Sequence, residues 1–178
     1  MKRFTTSPLL SFAFCLLPFA FLGCGYHVSG RASLLPKNIK TIAVPAFANL
    51  TTRYTLADRL TRDITREFIE RTRYAVVPDA NNADAVLSGA VVNFVSYPTI
   101  YDPVSSRAAA VQALVILQVT LTDRKTGAVL FHRPGMEARE RYEISVDPKT
   151  YFDESGPAMD RLSRDVARSV VSAILENF

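Results

Sequence analysis

The sequence predicts an α/β fold: a two-layer sandwich of order β-α-β-β-β-α, with a mixed sheet and two helices packed on one of its faces. Three observations predict it. Two segments, one after Tyr54 and one after Ser155, repeat apolar residues at four-residue spacing. A long segment at 111–122 alternates in character residue by residue, and short apolar runs bounded by Pro, Gly, Asn and Asp lie between. Each helix then owns one apolar stripe and the sheet one apolar face, and these must cover each other.

The first strand is expected over 39–47 (I-K-T-I-A-V-P-A-F), with Pro45 near its end where a missing donor is tolerated, and 49–52 (N-L-T-T) breaks it. A helix follows over 54–73. Leu56, Leu60, Ile64 and Phe68 form its stripe, joined by Ala57 and Ile69. Its other face pairs Asp58 with Arg62, Arg66 with Glu70 and Glu67 with Arg71 at i,i+4, which marks a solvated face. Thr55 and Asp58 resemble a capping box, and Arg71 and Arg73 suit the negative helix end. Strands are expected at 74–77, ended by Pro78, and at 86–97, ended by Pro98.

The alternation at 111–122 is the clearest signal. Val111, Ala113, Val115, Leu117, Val119 and Leu121 give one fully apolar face, while Gln112, Leu114, Ile116, Gln118, Thr120 and Thr122 give a mixed one. Residues 123–127 (D-R-K-T-G) then form a hairpin loop into 129–131, with Gly127 free to take positive φ, and a return strand covers 139–146. Asp147-Pro148 ends the sheet. Ser155-Gly156-Pro157 opens the last helix, whose stripe is Leu162, Val166, Val170 and Ile174 with Met159 and Ala173. The mixed sheet face stays free for water or a partner.

A chain of 178 residues, 48% hydrophobic and 21% charged, supports one globular domain, placed at 37–178. Its N-terminus reads differently. Lys2 and Arg3 precede an apolar run from Leu9 to Leu22, and Phe21-Leu22-Gly23-Cys24 closes it, the pattern of a lipoprotein signal at 1–23. A run of that length interrupted by Pro18 falls short of the roughly 20 residues that cross a bilayer. Cys15 lies within the signal, so Cys24 is the single cysteine of the processed chain and no internal disulfide forms. Acylation gives Cys24 a role as membrane anchor, and 24–36 then reads as a lipidated tether. Without Lys2 and Arg3 the chain keeps 19 basic residues against 17 acidic, too weak an excess to imply nucleic acid.

Nothing in the sequence assembles a catalytic centre. His27 falls in the tether and His132 at a strand end, with no further ligand or nucleophile sharing a motif with either. Asp153-Glu154 precede a helix start, where negative charge is favourable for structural reasons. There is no phosphate-binding Gly loop, H-E-x-x-H, G-x-S-x-G or C-x-x-C. The expectation is a binding protein, with no cofactor and no metal.

Cys24-Gly25-Tyr26-His27, Leu35-Pro36 with the 39–47 strand, Tyr142-Glu143-Ile144-Ser145-x-Asp147-Pro148 and the closing 162–178 segment resemble the lipopolysaccharide-assembly lipoprotein family LptE. The resemblance spans the whole processed chain. It implies a non-enzymatic outer-membrane protein that plugs the β-barrel LptD and helps deliver lipopolysaccharide to the outer leaflet. The strand I-A-V-P-A-F-A-N and the helix stem L-A-D-R-L-T also resemble lipoproteins of the curli-secretion and penicillin-binding-protein-activator type. Gly25 after Cys24, by similarity to enterobacterial sorting rules, implies the outer membrane. Lipid A carries anionic phosphates, which call for exposed cations. Arg124 and Lys125 at the hairpin tip are the first candidates, and Arg107, just before the long apolar strand, is the second.

Overall fold

The computed structural model describes residues 35–146 and 153–176. The signal, Cys24, His27, most of the tether and Asp147-Pro148 therefore lie outside the described residues.

Strand β1 (Thr41–Ala43) is shorter than the 39–47 expected, because Pro45 takes the chain out of the ladder after Val44 has donated its N–H to Val77 (3.3 Å). The chain returns as β2 (Ala48–Asn49). The detour buries Phe47, whose ring fills the space beside Gly89 so closely that a Cβ there would lie 2.2 Å from it. Asn49 then organises the turn into the first helix: its oxygen accepts from the Thr51 N–H (2.9 Å), and its amide donates to the Arg53 carbonyl (2.9 Å).

Helix α1 (Tyr54–Arg71) starts at Arg53 without a side-chain cap. The capping box expected from Thr55 and Asp58 does not form, since the helix is already under way at Thr55 and the Asn49–Thr51 turn fixes its approach. Leu56, Ala57, Leu60, Ile64 and Phe68 are buried as the stripe requires. Ile69 is not part of the stripe; it stands one residue, about 100° of helical turn, beyond Phe68 and is 59% exposed. Of the expected ion pairs, Arg71 with Glu67 is present (3.2 Å), whereas Arg62 and Arg66 turn to the buried Asp63.

Strand β3 (Ala75–Val77) and β4 (Ala85–Tyr101) both run parallel to β1, joined by a 3-10 turn at Ala80–Asn82. Strand β4 does not stop before Pro98. It continues past that residue, in register with Val111, because nothing among the described residues pairs its outer side there and a missing donor is tolerated at an edge. Strand β5 (Ala108–Asp123) pairs β4 and β6 (Val129–Glu143) antiparallel along its length. The two strands expected at 129–131 and 139–146 are thus one, and a register shift opposite Leu117 and Val119 absorbs Pro134-Gly135.

The result is a mixed sheet of six strands in the order β3-β1-β4-β5-β6, with β2 also on β4. Every residue from Val111 to Leu121 assigned to the apolar face of β5 is buried. Helix α2 (Ser155–Glu176) opens with the Asp153 carboxylate accepting from the Ser155 N–H (2.8 Å), and buries Leu162, Val166, Val170 and Ile174. It runs parallel to α1: Arg59 meets Asp160, Asp63 meets Ser163, and Arg71 meets Ser172. Both positive helix ends therefore lie together, on the side where Arg53 covers the Phe94 ring (5.0 Å).

Candidate functional site

The three cations singled out from the sequence do not form one cluster. Arg107 precedes β5 and Arg124 follows it, so sixteen residues of extended chain separate them, about 50 Å at the rise of a strand. They stand at opposite ends of the β4-β5-β6 ribbon.

At the end holding Arg124 and Lys125, the turn is tied into the domain. Asp123 accepts from the Lys125 N–H (2.8 Å) and the Thr126 N–H (3.0 Å), and Gly127 takes φ 73° to close the loop. The Thr126 N–H, followed by that of Lys125 and the amide of Asn38, holds the Asp123 carboxyl below the usual range. Asp84 performs the matching task from the start of β4. Its carboxylate accepts from the Lys40 N–H (3.0 Å), the Thr41 N–H (3.1 Å) and the Thr41 hydroxyl (2.9 Å). These bonds, the Lys40 N–H foremost, lower it to about 2. The Arg124 N–H donates to the Asp84 carbonyl (2.8 Å), and Lys125 Nζ lies 3.4 Å from the carboxylate. Lys125 is thus already engaged by an anion, while the Arg124 side chain is exposed. Asp84 precedes Lys125 by forty-one residues in sequence, and no local pattern announces the pair.

At the opposite end, the turn carrying Arg107 is held by its own atoms. Asp102 accepts from the Ser105 N–H (2.6 Å) and the Val104 N–H (3.2 Å), and its N–H donates to Arg107 (2.9 Å). The Ser105 hydroxyl and N–H lead in keeping the Asp102 carboxyl below its usual range, so its charge is spent on the turn. Around it stand Ile100, Tyr101 and Val104, 45%, 60% and 92% exposed. Arg107 is exposed beside them. This apolar tip is what sequence reasoning missed: Pro98 hid the continuation of β4. The signal available was the run of Ile100, Tyr101 and Val104 itself, too apolar for a solvated loop.

Between the ends, the free sheet face offers Val95, Tyr97, Leu114 and Ile116 in adjacent rows, bordered on β6 by Arg139 and Arg141. His132 is on this face too, its ring 2.9 Å from the Thr120 hydroxyl, and no acid is hydrogen-bonded to the ring among the described residues. Among the described residues no group of His, Cys, Asp and Glu is arranged to hold a metal ion. The charged cleft between the helices is structural. Burial pushes the Asp63 carboxyl up, but the Ser163 hydroxyl and then Arg62 and Arg66 outweigh it and bring it below its usual range. No described helix is long and apolar enough to cross a membrane.

A helix-backed open sheet with one free, partly apolar face defines the class, a two-layer α/β domain. The family model of LptE, described as lipopolysaccharide-assembly, matches residues 39–174, and the chain belongs to that family, whose members are non-enzymatic lipoproteins of the cell envelope. The fold is shared with solved lipoproteins. The solution structure of an uncharacterized lipoprotein B from Nitrosomonas europaea is similar at 15% identity and a TM-score of 0.54, covering 83% of this chain and 88% of its own. The crystal structure of the rare lipoprotein B from Shewanella oneidensis is similar at 12% identity and a TM-score of 0.51, covering 75% and 92%. None of the curated proteins matches the chain at a significant level.

Proposed function

We propose that this chain is an outer-membrane lipoprotein, cleaved after residue 23 and acylated at Cys24, whose domain at 37–178 plugs the β-barrel LptD and assists assembly of lipopolysaccharide into the outer leaflet. Membership of the lipopolysaccharide-assembly family carries this reading. The lipobox at Cys24 and the tether at 24–36 supply the anchor, and several acyl chains on one residue hold a protein firmly where a single chain does not. The role is non-catalytic and involves no nucleic acid.

Within this reading, Arg107 becomes the first candidate to contact lipopolysaccharide and Arg124-Lys125 the second. A phosphorylated, acylated ligand needs a cation beside apolar surface, and Arg107 lies in the turn with Tyr101 and Val104. Lys125, by contrast, would have to leave Asp84.

Capture of the tagged full chain from native envelopes should bring down a large outer-membrane barrel, and binding of purified lipopolysaccharide should fall several-fold for Arg107→Glu and less for Arg124→Glu/Lys125→Glu. Capture of peptidoglycan enzymes in place of a barrel would overturn the assignment. Equal binding by wild type and Arg107→Glu would move the contact away from this turn.

A further inference from the structure

The chain enters the domain at one end of the ribbon and carries its apolar turn at the other. Leu35 is buried, and the residues after it are tied to the Asp123 end. The Asn38 amide donates to the Asp123 carboxylate (3.2 Å), and the Lys40 and Thr41 N–H groups donate to Asp84. From there the sixteen residues of β5 extend about 50 Å to the turn of Val104 and Arg107. The ribbon sets the long axis of the domain, since the 22 residues of α2 rise only about 33 Å. Its far turn has spent its own backbone donors: the Val104 and Ser105 N–H groups go to the Asp102 carboxylate and that of Ser106 to the Asp102 carbonyl. Ile100, Tyr101, Val104 and Arg107 face outward from it.

We propose, resting on the barrel-plug reading above, that the domain stands in the lumen with the Asp123 turn at the periplasmic mouth and the 101–107 turn at the height of the outer leaflet. Two lengths select this orientation over its reverse. Leu35 follows Cys24 by eleven residues, which reach at most about 40 Å when fully extended. A bilayer with its headgroups is about 40 to 45 Å thick. The acyl chains on Cys24 sit in the periplasmic leaflet outside the barrel, so the tether must round the barrel rim before it enters the lumen. In the reverse orientation it would have to span the bilayer as well, and it is too short for both. With the Asp123 turn at the mouth, a ribbon of about 50 Å carries the far turn to the outer leaflet. There Tyr101 and Val104 meet acyl chains while Arg107 meets phosphate. The contact of Arg107 with lipopolysaccharide thus belongs to the exit of the lipid from the barrel, not to its entry.

Tagged full-length chain carrying the photo-crosslinking residue p-benzoylphenylalanine at 104 or at 124, both exposed positions, is to be irradiated in intact cells and captured. Mass spectrometry of the joined peptides then maps each position on the barrel. Position 104 should join the long extracellular loops several-fold more than the short periplasmic turns, and position 124 the reverse. A captured barrel joined by 104 at its periplasmic turns, joined by both positions at one end, or not joined by 104 at all would overturn the orientation and leave the plug in place. A capture without any barrel would overturn the proposed function and the orientation with it.

Discussion

The two turns of the long β4-β5-β6 ribbon are built from the same ingredient, an aspartate accepting backbone N–H groups, yet they end in opposite conditions. Asp123 binds within its turn and also to Asn38, and its neighbours Arg124 and Lys125 are held by Asp84. Asp102 binds only residues of its own turn among the described bonds. One turn is therefore part of the domain's framework, and the other is carried by it. Binding residues are best placed on a loop that a rigid scaffold holds out, which favours the Asp102 turn as the working end.

The contrast can be broken most strongly where the framework is tightest. Gly89→Ala, which drives a methyl into the buried Phe47 ring, should cost about 1 to 3 kcal/mol as overpacking does. Val104→Ser at the exposed tip should stay within about 0.5 kcal/mol. Urea unfolding of the two variants measures both, and equal losses would erase the distinction.

A finer comparison uses the two residues of positive φ, Gly127 at 73° in the framework turn and Ser106 at 57° in the free one. Gly127→Ala should destabilise by about 1 kcal/mol, since a Cβ is disfavoured in that region. Ser106→Gly should be neutral or stabilise by a few tenths, because relief of strain is offset by the entropy of the unfolded glycine. Thermal unfolding at one pH resolves them.

Acid should produce the smallest effect. Asp84 is lowered in the folded chain to about 2 from 3.8, so its contribution is complete above about pH 4 and is lost as pH falls through about 2. Amide exchange should then rise first at Lys40 and Thr41, the donors to Asp84. Simultaneous opening of the Asp102 turn would show that the two ends share one cooperative unit.

Much of this architecture could be read from residue order. The alternation of β5 and the four-residue stripes of both helices are complete statements of burial, because a strand or helix fixes which side chains share a face. What escaped reading involved either proline or distance. Pro98 and Pro134 look like stops, yet each is accommodated at an edge or register shift that only the assembled sheet defines. The free Arg124-Lys125 pair expected from a turn became, at Lys125, an ion pair through Asp84. Arg107 was legible as a cation, but its apolar surroundings depended on the unforeseen length of β4.

The last helix has a bearing on how the chain acquires its structure. Strands β4, β5 and β6 follow one another through tight turns and can assemble early, since their contacts are close in sequence. The partners of α1 on α2 lie about a hundred residues away, and α2 is the last described element of the chain. Until it arrives, the side of β6 on which it packs has no cover, and a sticky half-built sheet is the species most exposed to aggregation or to capture by chaperones.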